Sequence, residues 1–119
     1  MLYKKSIERE ASPKTTREAS GKQEKAVSKA IGGKKTKNSG ATLWQKGDIV
    51  LDNWLIECKV HMLSQEKFSI KKEWLEKLKQ ESLFMGKEYE ALAFDFGNGK
   101  NYYIIDEHLF RYLCEILGE

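Results

Sequence analysis

The chain has 119 residues, with 21 basic and 18 acidic side chains, so its formal net charge is only +3. This length predicts one domain with a modest core, and the weak positive charge does not by itself indicate a nucleic-acid partner. No apolar run reaches the length of a membrane span and no signal peptide is evident, so we expect a cytoplasmic protein without a membrane partner. Cys58 and Cys114 lack metal-ligand spacing and are expected to be reduced and buried.

Residues 1–19 are polar and are predicted to form a basic N-terminal arm, followed by a single domain over residues 20–119. A disordered terminus explains the composition of this arm. The alternative is an arm that contacts a phosphate backbone or a partner subunit. Its basic residues outnumber its acids and are Lys4, Lys5, Arg9, Lys14 and Arg17.

A first helix is predicted to begin at Ser20, because Ser20 followed by Gln23 fits a capping box. Gly32 and the glycine after it end the helix. Glu24 lies at the edge of the apolar stripe, where its carboxylate either turns toward the sheet or stays in solvent. The predicted buried stripe is Ala26, Val27, Ala30 and Ile31.

Residues 33–40 read as a glycine-bounded loop that is rich in lysine. Lysine binds phosphate as a point charge, so this loop is a candidate contact for a phosphate backbone. The alternative is a solvated surface loop. The candidate contacts are Lys34, Lys35, Lys37 and Ser39, with Lys46 adding charge further on.

Residues 46–61 predict two short strands joined by a tight turn at Asp52-Asn53. This turn places Asp48 opposite Glu57, with their Cβ atoms roughly 5 Å apart. Alternation then gives one apolar face and one polar face. The apolar face carries Ile49, Leu51, Trp54, Ile56, Cys58 and Val60, and the polar face carries Asp48, Glu57, Lys59 and His61.

Two carboxylates in direct opposition repel each other, and a divalent cation relieves that repulsion. Mg²⁺ is commonly held through one or two carboxylates together with substrate phosphates. Lys59 lies on the same face as Glu57 and can reach a water or a phosphate oxygen there. The alternative is a polar sheet face with scattered charges and no chemistry.

The second half of the chain predicts helix, strand, turn, strand and closing helix. Ser69 is the predicted N-cap of a helix over residues 70–85, whose inward stripe is Trp74, Leu75, Leu78 and Ser82. Lys71 and Lys72 lie at its amino end, a second candidate site for phosphate. Residues 89–96 read as a central strand, and Asp106 caps a closing helix that is apolar on more than one side. The predicted class is α/β, with a mixed sheet and helices.

Asp48 followed by Glu57-Cys58-Lys59 resembles the Asp…Glu-x-Lys signature of the restriction-endonuclease-like nucleases. The wider context is similar to Holliday junction resolvases of the archaeal and phage type, with Glu24 on a first helix and Ser39 before a glycine. The proline that usually precedes the aspartate is Gly47 here. The resemblance implies a restriction-endonuclease-like core, in which a mixed central β-sheet is flanked by helices.

The same resemblance implies a metal-dependent, structure-selective DNA endonuclease. Asp48 and Glu57 would bind Mg²⁺, with Glu24 assisting, Lys59 supporting catalysis and Mn²⁺ able to substitute. Four-way junctions would be the substrate and a homodimer the working form. Two alternatives stay open, namely a repair, nicking or restriction-type nuclease of the same superfamily, and a DNA-binding module without catalysis.

Overall fold

The computed structural model describes residues 16–35 and 47–119. The predicted arm before residue 16, and the predicted contacts Lys37, Ser39 and Lys46, lie outside these ranges. The elements in chain order are α1 (Thr16–Ile31), β1 (Lys34–Lys35), β2 (Gly47–Val50), β3 (Trp54–Val60), α2 (Lys72–Phe84), β4 (Tyr89–Asp95), β5 (Asn101–Ile104) and α3 (Glu107–Leu117).

The described strands form one five-stranded sheet in the order β1-β2-β3-β4-β5. The β3–β4 pair is parallel and the other three pairs are antiparallel. A parallel pair needs a crossover, and α2 lies in the connection between β3 and β4. The predicted α/β class, with a mixed sheet flanked by helices, is confirmed. None of the described helices has the length and apolarity needed to cross a bilayer.

The β2–β3 hairpin has the predicted register. Asp48 is the partner of Glu57, and Ile49 is the partner of Ile56. At the turn, the Leu51 amide donates a hydrogen bond to the Trp54 carbonyl over 3.0 Å. Asp52 and Asn53 are exposed at the tip, where short polar side chains favour turn conformations.

Helices cover both faces of the sheet, so the polar face of the hairpin is not fully exposed to solvent. Val27 of α1 packs in one core cluster with the predicted apolar hairpin face, including Ile56 and Cys58. On the opposite face, Leu78 of α2 packs against Leu55 and against Leu92 of β4. The predicted polar face of β3 therefore lies partly under α2, and Glu57 on that face is buried.

Helix α1 begins at Thr16, one turn before the predicted start at Ser20. The predicted stripe was wrong in part, because Ala26 and Ala30 are exposed. The buried positions on the sheet side are instead Ala19, Gln23, Glu24 and Val27. Ala19 extends the buried face by one helical turn, which explains why the helix continues through Ser20.

Helix α2 has the predicted inward face but a different start, whereas α3 begins after Asp106 as predicted. Lys71, not Ser69, is the N-cap of α2, and no side chain caps it. Leu78 and Ser82 are buried in α2, as the predicted stripe requires. The Asp106 carboxylate accepts a hydrogen bond from the Leu109 amide at 2.9 Å and caps α3 as predicted.

The cysteines agree with the predicted reduced state, since both thiols are free. Cys58 is buried, as predicted. Cys114 is only partly buried, which corrects its predicted burial. The difference follows from position, because Cys58 lies on a central strand while α3 buries only Leu109.

Candidate functional site

The opposed acids of the hairpin lie in a largely buried place. Glu57 is in the middle of β3, between β2 and β4, and its side chain is only 3% exposed. Asp48 is partly buried, and its Oδ1 atom is shielded from solvent. A carboxylate in such surroundings costs free energy unless charge or hydrogen bonds compensate it. A positive charge near these two acids would compensate their burial.

Lys59 supplies one positive charge at this site. Its Nζ atom lies 3.8 Å from Glu57 Oε1, and its side chain is 26% exposed. The two residues project from the same face of β3 because they are two positions apart. The Lys59 side chain is therefore neither fully buried nor fully exposed at this site.

Trp74 is a functional candidate that the sequence identified only as a core residue. The Lys59 Nζ atom lies 4.4 Å from the centre of the Trp74 ring, within the range of a cation–π contact. The Lys71 Nζ atom lies 5.9 Å from the same ring. Trp74 is in the first turn of α2, on the inward stripe, so the crossover helix positions it above the lysine. The indole and Glu57 together fix the ammonium group.

Glu24 is buried, with 5% of its surface exposed, and reaches the sheet from α1. Burial raises the pKa of the Cys58 thiol far above its ordinary range, and the charges of Glu24, Asp48 and Glu57 raise it further. The three carboxylates therefore lie close enough to Cys58 to act on it electrostatically. Glu24 reaches the sheet from α1, on the face that carries Cys58, and its part in a metal site stays a prediction.

The three acids do not form a preassembled three-ligand centre. Within residues 16–35 and 47–119, no three His, Cys, Asp or Glu side chains are placed to hold one metal ion. Asp48 and Glu57 still form a pair of hard oxygen donors on neighbouring strands. Such a pair fits Mg²⁺, which keeps water and substrate oxygens in its remaining positions.

Gln23 is a second residue whose role the sequence did not reveal. It is 3% exposed, and its Nε2 atom donates to the Lys59 carbonyl at 2.7 Å and to the Ala93 carbonyl at 3.2 Å. Nε2 also lies 3.0 Å from Asn101 Oδ1. These hydrogen bonds connect α1 to β3 at Lys59, to β4 at Ala93 and to β5 at Asn101. The sequence assigned Gln23 only to a capping box with Ser20, which the earlier start of α1 replaces.

The predicted phosphate contacts are separated along the described chain. Lys34 is exposed on β1, which corrects the predicted loop because Lys34 and Lys35 form an edge strand. Lys71 and Lys72 are exposed at the amino end of α2, as predicted. The Lys72 Nζ atom lies 3.9 Å from Glu76, and both side chains are largely exposed. A surface pair of this kind contributes little to stability and leaves the lysine available.

The described part of the chain is thus an α/β domain with two opposed carboxylates and an adjacent lysine. No protein-family model, curated protein or solved structure matches this chain.

Proposed function

We propose that the protein is a metal-dependent, structure-selective DNA endonuclease with a restriction-endonuclease-like core, of the Holliday junction resolvase type. One observation carries the proposal, namely that Asp48 lies opposite Glu57 with the Lys59 ammonium 3.8 Å from Glu57. Two acids can hold a divalent cation, and an amine beside them can stabilise charge on a phosphate, so this set of groups suits phosphodiester hydrolysis. The sequence resemblance assigns the same three residues.

The proposed mechanism divides the work among four side chains. Asp48 and Glu57 would hold Mg²⁺, or Mn²⁺ in its place, and Glu24 would assist directly or through water. The cation, when bound, makes the attacking water more acidic and offsets charge on the scissile phosphate. Lys59 orients that water and stabilises the charge that develops on the phosphate oxygens. Trp74 holds the Lys59 side chain in position for this task.

DNA is the proposed partner, held along its backbone by lysines on the surface. Lys71 and Lys72 are exposed at the amino end of α2, whose backbone amides also favour phosphate. Lys34 lies on β1, the strand that pairs with the β2 side of the hairpin. The predicted contacts Lys35, Lys37, Ser39 and Lys46 belong to the same proposal.

A homodimer is the proposed working form, because a four-way junction presents two equivalent strands for cutting. A two-fold dimer supplies two identical sites. Helix α3 supports this arrangement, since it buries only Leu109 while Phe110, Ile116 and Leu117 are exposed. Apolar side chains that stay in solvent on one helix are typical of a subunit interface.

The decisive experiment offers the protein a four-way junction and its linear duplex arms side by side with Mg²⁺. Cleavage of the junction alone supports the resolvase assignment, whereas equal cleavage of both indicates another nuclease of the superfamily. Asp48→Asn is the control for the active site. Cleavage by that variant at the wild-type rate would remove the assignment of Asp48. Binding by the wild type without any cleavage would favour a non-catalytic module.

A further inference from the structure

The carboxyl ends of β3 and β4 carry a cluster of aromatic rings that the proposed catalysis does not use. The ring centroids of His61 and Phe68 are 4.4 Å apart, and those of Phe68 and Phe94 are 5.2 Å apart. The Phe94 and Tyr102 rings stack at 5.5 Å, and Phe96 meets Tyr102 edge-on at 5.7 Å. We call these residues the aromatic platform, comprising His61, Phe68, Phe94, Phe96 and Tyr102.

The aromatic platform begins beside Lys59. Lys59 is the partner of Phe94 across β3–β4, and Phe94 is the partner of Tyr102 across β4–β5. Partnered residues project from the same sheet face, so these three side chains form a row. Neighbouring strands are about 4.8 Å apart, which places Tyr102 roughly 10 Å from Lys59. Nucleotides rise about 3.4 Å along one strand, so this separation spans about three nucleotides.

Helix α2 meets this row at Lys59, where Trp74 lies over the ammonium group. It covers the same sheet face nearer the amino ends of the strands, where Leu78 packs on Leu55. The Tyr102 side chain is 42% exposed, and the other four rings are partly exposed. The Lys100 Nζ atom lies 5.2 Å from the Tyr102 ring centre. Lys67, which directly precedes Phe68 in the sequence, is exposed. Accessible rings flanked by ammonium groups match a nucleobase with its attached phosphates.

We propose that the aromatic platform stacks an unpaired base of the DNA substrate within about three nucleotides of the scissile phosphate, and so contributes to the preference for branched DNA. The proposal rests on the proposed nuclease function and names how the substrate is recognised. A base within continuous duplex is already stacked on its neighbours and is not available to Tyr102. A base at a branch point can leave the stack and lie on an aromatic side chain.

The test compares two tyrosines that are adjacent in sequence and equally exposed. Tyr102 and Tyr103 are each 42% exposed, but Tyr103 lines an apolar groove with Ile56 and Ile105 on the other sheet face. Tyr102→Ala removes the ring from the platform, Tyr102→Phe keeps it, and Tyr103→Ala is the matched control. Affinity is measured in EDTA, without cleavage, for a fluorescent oligothymidylate and for a duplex of the same length. Thermal melting followed by circular dichroism checks that each variant folds.

Tyr102→Ala should lose about tenfold in affinity for the oligothymidylate and less than about twofold for the duplex. Tyr102→Phe and Tyr103→Ala should stay within about twofold of the wild type for both ligands. An equal loss for both ligands, unchanged binding of the single strand, or no single-strand binding by the wild type would overturn the proposal. Because no cleavage is measured, the result stands whether or not the protein proves to be a nuclease.

Discussion

The Lys59 ammonium lies between two groups on different elements, 4.4 Å from the Trp74 ring centre and 3.8 Å from Glu57 Oε1. Trp74 belongs to α2 and Glu57 to β3, so the position of the lysine depends on how the crossover helix packs. A cation held over an aromatic face gains roughly 0.5–2 kcal/mol. The proposed catalytic lysine is therefore placed by tertiary structure and not by the Glu-x-Lys spacing alone.

We expect Trp74→Leu to lower the cleavage rate several-fold while DNA affinity changes little. The leucine keeps the apolar packing of this partly buried position but removes the ring face that holds the ammonium. Single-turnover cleavage of a four-way junction at saturating protein measures the rate, and binding in EDTA measures the affinity. Trp74→Phe should retain most of the rate. A leucine variant that cuts as fast as the wild type would show that Trp74 only fills the core.

Asp48→Asn should abolish metal-dependent cleavage and also change stability. Loss of an outer-shell partner costs roughly 10–100-fold in metal affinity or activity, so loss of a direct ligand should cost more. Without metal, the same variant should unfold at slightly higher urea concentration, because like charges in direct opposition destabilise a sheet by about 0.2–1 kcal/mol.

The cation itself can be detected by the same unfolding measurements. Added Mg²⁺ should raise the urea midpoint of the wild type, since a ligand that binds only the native state stabilises it. Asp48→Asn should show a much smaller shift. Equal shifts for both proteins would contradict a cation site at Asp48 and Glu57.

The hairpin could be predicted from the sequence because its register depends on residues that are close together in the chain. Alternating apolar residues and the Asp52-Asn53 turn determine which side chains oppose each other, so the partnership of Asp48 with Glu57 followed directly. The contact of Lys59 with Trp74 could not be predicted, because it depends on where α2 packs. Gln23 was missed for the same reason, since its partners are carbonyl groups on strands far along the chain.

The start of α1 shows a second limit. Ser20 with Gln23 has the form of a capping box, but burial of Ala19 and Gln23 extends the helix through that position. Local capping preferences amount to about 1 kcal/mol, and packing of one more helical turn outweighs them.

Asp106 is expected to make stability depend on pH. The hydrogen bond from the Leu109 amide, assisted by the charge of Lys79, lowers the pKa of the Asp106 carboxyl below its ordinary value. A lowered pKa in the folded state means that the stabilisation is present above the unfolded pKa, near 3.9, and is lost as the pH falls through the folded value.

Asp106→Ala should therefore cost about 0.5–1 kcal/mol at pH 7, at the low end of capping effects because the side chain is about half exposed. The difference from the wild type should shrink toward pH 3. Asp106→Asn is the matched control, since its side-chain oxygen still caps the helix at both pH values. Urea unfolding at the two pH values measures all three proteins, and a difference that does not depend on pH would contradict the assignment.

The lysines at the amino end of α2 should contribute to the salt dependence of DNA binding. If Lys71 and Lys72 each neutralise one phosphate, replacing either with Gln should reduce the slope of log affinity against log salt by about 1. Lys77→Gln, at an exposed position about one and a half turns further along the same helix, is the control and should leave the slope nearly unchanged. Slopes that stay at the wild-type value for all three variants would exclude this end of α2 from the DNA interface.

The exposed face of α3 provides the test of the homodimer. Phe110 and Leu117 are two helical turns apart, so they project from one side of the helix, and they are 58% and 77% exposed. Phe110→Glu combined with Leu117→Glu should convert a dimer into a monomer in sedimentation, because burying two carboxylates at an apolar interface is costly. Arg111→Glu changes an exposed charge on the same helix and should leave the dimer intact.

The same variant separates assembly from chemistry. A dimer with two sites cuts both strands of a junction in one encounter, whereas a monomer cuts them independently. On a supercoiled plasmid that extrudes a four-way junction, the wild type should give mainly linear product, and the double variant should give mainly nicked circles. A wild type that sediments as a monomer and still gives linear product would show that paired cutting does not need the α3 face.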